Sequence, residues 1–304
     1  YTLSLHDALP IYNFHVKSGY DDEGRHFLKA NGDMGEASLS GAFDWETLPR
    51  SIINYTASKL PTLPGLPKTL RPTANNFTAS LKLTDTENEI NHLLDEGKNV
   101  LAEGAQGTLL DLDHGTYPMV SSSSTTTGGV CTGLGVAPNK IADVFGIFKA
   151  YSTRVGSGPF PVELFDATGD RIREIGHEYG AVTGRNRRCG WLDLVALKYA
   201  VQINGVTQLI MMKSDVLDDF PTIRVCTAYT KDGQTLTNVP YDLNGCEAVY
   251  EEMPGWRTDL TQLTTYDSLP RQLKDYIAFV ERYVGVPVTI VSVGPDRNAT
   301  IVRS

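Results

Sequence analysis

Three times in this chain a helical apolar period closes at a glycine and gives way to a short apolar run, and few folds accept that order of events. Residues 191–203 are apolar almost all round, end at Asn204-Gly205, and lead into Gln208-Leu209-Ile210-Met211-Met212. A glycine at a helix end supplies the left-handed residue that stops it, and a continuous apolar run marks a strand covered on both faces. The same order recurs near the end of the chain. Ser268 and Pro270 open a helix with Leu273, Tyr276, Ile277, Val280 and Val284 in period, Gly285 closes it, and residues 286–293 read as the next strand. In residues 86–96, Ile90, Leu93 and Leu94 share one face before Gly97, after which Asn99-Val100-Leu101-Ala102 reads as a short buried strand. Helices alternating with buried strands specify an α/β fold on a mainly parallel central sheet flanked by helices.

Residues 138–151 place Ile141, Val144, Phe145, Phe148 and Tyr151 at helical spacing behind an opening proline, so a further helix is expected there. Residues 222–229 and 235–239, joined through Lys231-Asp232-Gly233-Gln234, are expected to form a β-hairpin about an Asp-Gly turn. The start of the chain offers less. Residues 1–11 read as a non-native leader and are set aside, while residues 12–85 are poorly patterned and carry no assignable chemistry. The proline-rich run 60–67 suits neither a helix nor a central strand. The α/β domain is placed at residues 86–304.

A formal net charge of -9 gives no basic field to attract a phosphodiester backbone, so nucleic acid is not an expected partner. No run approaches the roughly 18 to 20 apolar residues of a membrane helix, and no segment reads as a signal peptide. A cytoplasmic protein without a membrane partner is expected. Cys131, Cys189, Cys226 and Cys246 form no C-x-x-C pair, which favours reduced thiols over a disulfide framework or a structural zinc site.

Ligands of open α/β sheets sit beyond the carboxyl ends of the strands, so polar text directly after an apolar run is where chemistry belongs. In Glu103-Gly104-Ala105-Gln106-Gly107-Thr108, glycines flank a glutamine whose amide can donate to and accept from a base edge; on these residues alone an ordinary turn explains it as well. Asp111, Asp113 and His114 follow so closely that they read as turn and cap residues, not as metal ligands. Arg185, Arg187 and Arg188 lie between glycines ahead of a buried helix, where guanidinium forks suit a carboxylate or phosphate. Lys213-Ser214-Asp215 ends an apolar strand and resembles the [NT]-K-x-D element with which GTP-binding proteins read guanine, although Met212 stands where asparagine or threonine is usual. Ser292-Val293-Gly294-Pro295-Asp296-Arg297 is by itself a strand ending in a tight turn.

Taken in order, these segments resemble the adenylosuccinate synthetase family from about Asp95 to Ser304. The resemblance includes the stretch from Glu103 to Pro118, the stretch from Lys149 to Pro161, the arginine loop, and Val291 to Arg297. It implies a predominantly parallel sheet with flanking helices and smaller subdomains, a homodimer, and GTP, IMP and L-aspartate as ligands with Mg2+ as cofactor. It also implies phosphorylation of the 6-oxygen of IMP by GTP, then displacement of that phosphate by the aspartate amino group to give adenylosuccinate, the first committed step of AMP synthesis. By position Gln106, Ser121 and Arg185 would contact IMP, with Ser121 replacing the usual threonine. The loop Ala181, Val182, Thr183, Gly184, Arg185, Asn186 and Arg187 would hold aspartate, with Val182 and Asn186 departing from the common residues. Arg187, Lys213, Ser214, Asp215, Ser292, Val293 and Gly294 would bind GTP.

The family's Gly-Asp-Glu-Gly-Lys-Gly phosphate loop does not occur in this sequence, nor do its catalytic histidine and its Gly-Ile-Gly-Pro segment. Asp22-Glu23-Gly24 is followed by Arg25 and lacks the preceding glycine, so it is a coincidence. No catalytic residue and no magnesium ligand is therefore expected in this chain. Two functions follow: an inactive portion of a GTP-dependent purine ligase, or a non-catalytic module that binds GTP and IMP.

Overall fold

A computed structural model describes residues 85–180 and 184–303 and, ahead of them, six strands as backbone. The leader at 1–11, Asp22-Glu23-Gly24, the proline-rich run 60–67 and Ala181, Val182 and Thr183 lie outside the described residues. The chain divides into two compact units, Tyr1–Leu101 with Gly133–Val136, and Ala102–Thr132 with Ala137–Ser304.

The first unit holds β1 (His15–Tyr20), β2 (His26–Asn31), β3 (Ala37–Ser40), β4 (Ala42–Phe43), β5 (Ile52–Ala57) and β6 (Phe77–Lys82). They form two antiparallel sheets ordered β1-β2-β4 and β3-β5-β6. Sequence patterning singles out none of them, because each is six residues or fewer, too short for its pattern to stand out. Next comes α1 (Thr86–Asp95), capped by Asp85, whose side chain accepts from the Asn88 amide at 3.2 Å, and followed by Gly97 at φ +74°. The helix is as expected, but the strand expected at residues 99–102 is not formed. Leu101 is 89% exposed, and this tetrapeptide pairs with no strand among the described residues, so it has no ladder to join.

The division falls within α2 (Thr127–Leu134), after Thr132, and the second unit goes on through β7 (Phe145–Lys149), β8 (Ser152–Arg154), α3 (Ala167–Ile175), β9 (Arg188–Gly190) and β10 (Leu192–Asp193). It continues through α4 (Leu194–Asn204), β11 (Gln208–Met212), β12 (Thr222–Lys231), β13 (Gln234–Leu236), β14 (Glu247–Pro254), α5 (Arg271–Val284), β15 (Val288–Ser292) and β16 (Thr300–Val302). The central sheet is ordered β16-β15-β11-β7, with β7, β11 and β15 parallel and β16 antiparallel at the edge. A second sheet gathers β10, β12, β13 and β14, and β8 pairs with β9.

Where periodicity was strong the elements agree with it. All five apolar positions expected on α5 are buried, and Gly285 closes it at φ +82°. Gly205 closes α4 at φ +62°, although this helix starts later than expected because Asp193 caps it, accepting from the Ala196 amide at 3.0 Å. Asp232 and Gly233 both have positive φ at the tip of the β12–β13 hairpin, the geometry that suits strand twist. The helix expected at 138–151 is instead a single 3-10 turn, Pro138–Lys140, followed by β7. Pairing with β11 across residues 145–149 explains the difference, and at Gly146 a Cβ would lie 2.8 Å from Leu209 Cδ2, so a larger residue there would displace that side chain.

The two-sided burial expected of β11 is also only half right. Leu209 and Met211 are buried with Leu273, Tyr276 and Ile277 of α5, while Ile210 and Met212 on the other face are partly exposed. Ile147, Ile210, Ile290 and Val302 stand in one row across the four strands by register, and Ile147 and Val302 are 71% and 69% exposed. A parallel sheet is normally covered on both faces, and an apolar row beside the edge of β7, which pairs with no further strand among the described residues, invites association. Sedimentation of the purified chain is therefore expected to show concentration-dependent self-association that Ile147→Glu reduces. A monodisperse wild-type monomer would count against this.

Candidate functional site

The carboxyl ends of three adjacent parallel strands converge. β7 ends at Lys149, β11 at Met212 just before Lys213-Ser214-Asp215, and β15 at Ser292 just before Val293-Gly294. Ser214 joins two of these ends, its hydroxyl donating to the Ser292 carbonyl, while the Ser292 hydroxyl donates to the Gly294 carbonyl at 3.0 Å. Lys213 takes a left-handed backbone at φ +61°, which turns the chain sharply after the strand. Asp215 Oδ1 is buried and has no hydrogen-bond partner among the described residues, and burial raises the pKa of this carboxyl. A buried acceptor left open is costly unless something else satisfies it.

The arginine loop is drawn to the same place by a residue that sequence patterning did not single out. Glu178 follows α3, and its side chain is fully buried. It accepts from Lys149 Nζ at 2.7 Å, Tyr151 OH at 2.5 Å, Arg187 Nη1 at 2.8 Å and Lys213 Nζ at 3.1 Å. Its backbone carbonyl also accepts from the Arg187 amide at 2.9 Å, and Tyr179 bridges Asn186, so the loop is pinned at its base. Burial lowers the pKa of Lys149, against the pull of Glu178. Three cations around one carboxylate leave a local excess of positive charge, and Arg187 Nε is buried without a partner among the described residues. Such a cluster suits an anion.

The three arginines of the loop are not equivalent. Arg185 is exposed, Arg187 is half-buried against Glu178, and Arg188 pairs with Glu163 and donates to the Gly156 and Gly158 carbonyls at 3.2 and 2.8 Å. Arg188 therefore fastens the loop to the segment after β8. Arg154 carries the chain of contacts onward, donating to Ser157 O at 3.0 Å, Thr116 Oγ1 at 2.9 Å and Met119 O at 3.0 Å. Gly158 lies at φ +108°, where a Cβ would collide with Arg154.

Thr116 and Met119 belong to the loop that carries the glutamine and the hydroxyl run. Asp111 organises it: Oδ1 accepts from the Asp113 and His114 amides at 3.0 Å each, and Oδ2 from Thr125 and Thr126 at 2.7 and 3.3 Å. Burial pushes this carboxyl upward, but the four amides outweigh it and its pKa is lowered. Asp111 thus acts as the turn residue read from the sequence. Gln106 is exposed with φ +69°, and Ser121 is half-buried with its hydroxyl 2.8 Å from that of Ser123. The Gln106 loop, the segment after β8, the arginine loop and the Lys213–Asp215 turn are joined through Arg154, Arg188 and Glu178.

These features define an α/β protein with an open parallel sheet whose strand ends gather charged side chains in one place. A family model described as adenylosuccinate synthetase matches residues 63–301. The adenylosuccinate synthetase of Phocaeicola vulgatus is 62% identical over 228 residues, 75% of this chain and 54% of the relative. That of Parabacteroides distasonis is 61% identical over 231 residues, 76% and 55% of the two chains. The fully ligated adenylosuccinate synthetase from Plasmodium falciparum superposes with a TM-score of 0.71 at 41% identity, covering 73% of this chain and 54% of that one. The chain belongs to the adenylosuccinate synthetase family, and it spans about half the length of the curated relatives it matches.

Proposed function

We propose that this chain carries the guanine-reading and aspartate-holding part of a GTP-dependent ligase that joins IMP to L-aspartate in purine nucleotide synthesis. The observation that supports this most is the open Asp215 Oδ1 after β11, in the turn that Ser214 ties to Ser292 and two residues from Lys213, which shares Glu178 with Arg187. Guanine presents two adjacent donors, at N1 and N2, and a carboxylate with a free oxygen is their complement. Arg187 would take phosphate or the aspartate carboxylate, Arg185 and Thr183 would complete the aspartate side, and Gln106 and Ser121 would meet the IMP base and its phosphate. The residues Ala181, Val182, Gly184 and Asn186 would shape that loop. A homodimer working in the cytoplasm belongs to the same reading.

In this reading the chain holds and orients the two anionic substrates and the nucleotide, so that charge moving between phosphate and purine oxygen meets fixed cations rather than water. Mg2+ is the ion that family membership implies. Among the described residues no group of three or more His, Cys, Asp or Glu side chains could hold a metal ion, so they do not fit it and no step is drawn through it. Among the described residues no helix is long and apolar enough to cross a membrane.

Calorimetric titration of this chain with GDP tests the reading, with saturable binding expected. Turnover of GTP, IMP and L-aspartate is expected to need the part of the Phocaeicola vulgatus relative that this chain does not span, joined ahead of Asp85. Absence of GDP binding would defeat the reading. Binding without turnover in the joined protein would favour the non-catalytic module.

A further inference from the structure

Lys213 and Asp215 are two residues apart and of opposite charge, and Lys213 is near enough to favour the charged form of Asp215. Yet Asp215 Oδ1 is buried without a hydrogen-bond partner. The reason is that the Lys213 ammonium is engaged elsewhere, donating to the Gly176 carbonyl and to Glu178 Oε1 at 3.1 Å. Arg187 shows the same division, with Nη1 held by Glu178 Oε2 at 2.8 Å and Nε left unpartnered. Glu178 stands behind both groups. One of its oxygens faces the strand ends and the other the arginine loop.

Buried ion pairs are poor devices for stability, because desolvation offsets much of their attraction. A single buried carboxylate shared by Lys149, Arg187 and Lys213 therefore needs a further explanation. We infer that Glu178 is a positioning residue: it draws Lys213 away from Asp215 and fixes Arg187 by one nitrogen, which keeps a guanine-facing oxygen and an anion-facing nitrogen open for the ligand. This rests on the assignment of Asp215 to guanine. Without the Glu178 charge, the most favourable place for the Lys213 ammonium is the Asp215 carboxylate, and the ligand then has to break that pair before it can bind.

This competition separates a positioning role from a merely structural one. In calorimetric titrations with GDP at a temperature well below melting, Glu178→Gln is expected to bind at least tenfold more weakly than the wild type. Lys213→Met alone, which keeps an unbranched stem without the ammonium, sets the reference for any contact that ammonium makes with the nucleotide; in this background Glu178→Gln is expected to weaken binding less than threefold, because the competitor for Asp215 is gone. A residue that only supports the fold predicts the same loss in both backgrounds. Should Glu178→Gln not fold, Glu178→Asp takes its place in the same comparison, since a carboxylate withdrawn by one methylene no longer reaches the Lys213 ammonium at its present 3.1 Å. A Glu178 variant that binds GDP like the wild type, or a loss as large in the Lys213→Met background as in the wild type, would overturn the inference while leaving the functional reading intact. A wild-type chain that does not bind GDP would overturn both.

Discussion

Replacing Asp215 with asparagine is expected to weaken GDP binding by roughly a hundredfold or more. A carboxylate that receives both N1 and N2 donors of guanine makes two charge-assisted hydrogen bonds, each contributing about 1.5 to 3 kcal/mol. Asparagine keeps one acceptor and sets a donor against a donor, and about 1.4 kcal/mol corresponds to each tenfold change. Xanthosine diphosphate, whose 2-oxo group accepts where guanine donates, is expected to become the tighter ligand. Titrating both nucleotides against both proteins decides the matter: an unchanged preference for GDP removes the guanine assignment.

The same substitution should leave the free protein no less stable, which guards the result against a trivial explanation. Burial raises the Asp215 pKa, so the folded chain holds that proton more firmly than the unfolded chain does. Above that pKa the charged group opposes folding, and a neutral amide relieves the opposition. Melting of Asp215→Asn at neutral pH is therefore expected at or above the wild-type temperature. A residue that simply capped the strand end would give a lower melting temperature and equal losses with both nucleotides.

Legibility in the sequence followed how locally each feature is determined. α5 was readable because its five buried positions recur at helical spacing and its glycine can take a left-handed conformation. β7 was not, because Val144, Phe145 and Phe148 fit a helical stripe as well as a strand, and only pairing with β11 decides between them. The turn at Lys213–Asp215 and the arginine loop were visible as polar text beyond apolar runs, the place where an α/β sheet exposes its strand ends. Glu178 was invisible for the opposite reason. Lys149, Tyr151 and Lys213 lie 29, 27 and 35 residues away in sequence, and nothing short of the fold brings them to it. The available hint was compositional, a lone acid between His177 and Tyr179 just ahead of three arginines.

That buried acid carries the other large effect, which is expected in acid. Burial by itself pushes the Glu178 carboxyl upward, but hydrogen bonds from Lys149, Tyr151 and Arg187 outweigh it and hold the group down at about 2, against an ordinary 4.5. A carboxyl lowered by folding contributes stability that is fully present above its unfolded value and is lost as the pH falls toward its folded one. Glu178 is thus expected to withdraw about 3 kcal/mol between pH 4.5 and 2, taking about 1.4 kcal/mol per unit. Glu178→Gln has no charge to lose in that window, but it leaves three cations without their counter-charge, which costs about 3 to 5 kcal/mol at neutral pH. Urea unfolding at pH 7, 4.5 and 3 should show the variant well below the wild type at pH 7 and the two converging in acid. If the gap between them stays constant across that range, the carboxylate is not what holds the cluster together.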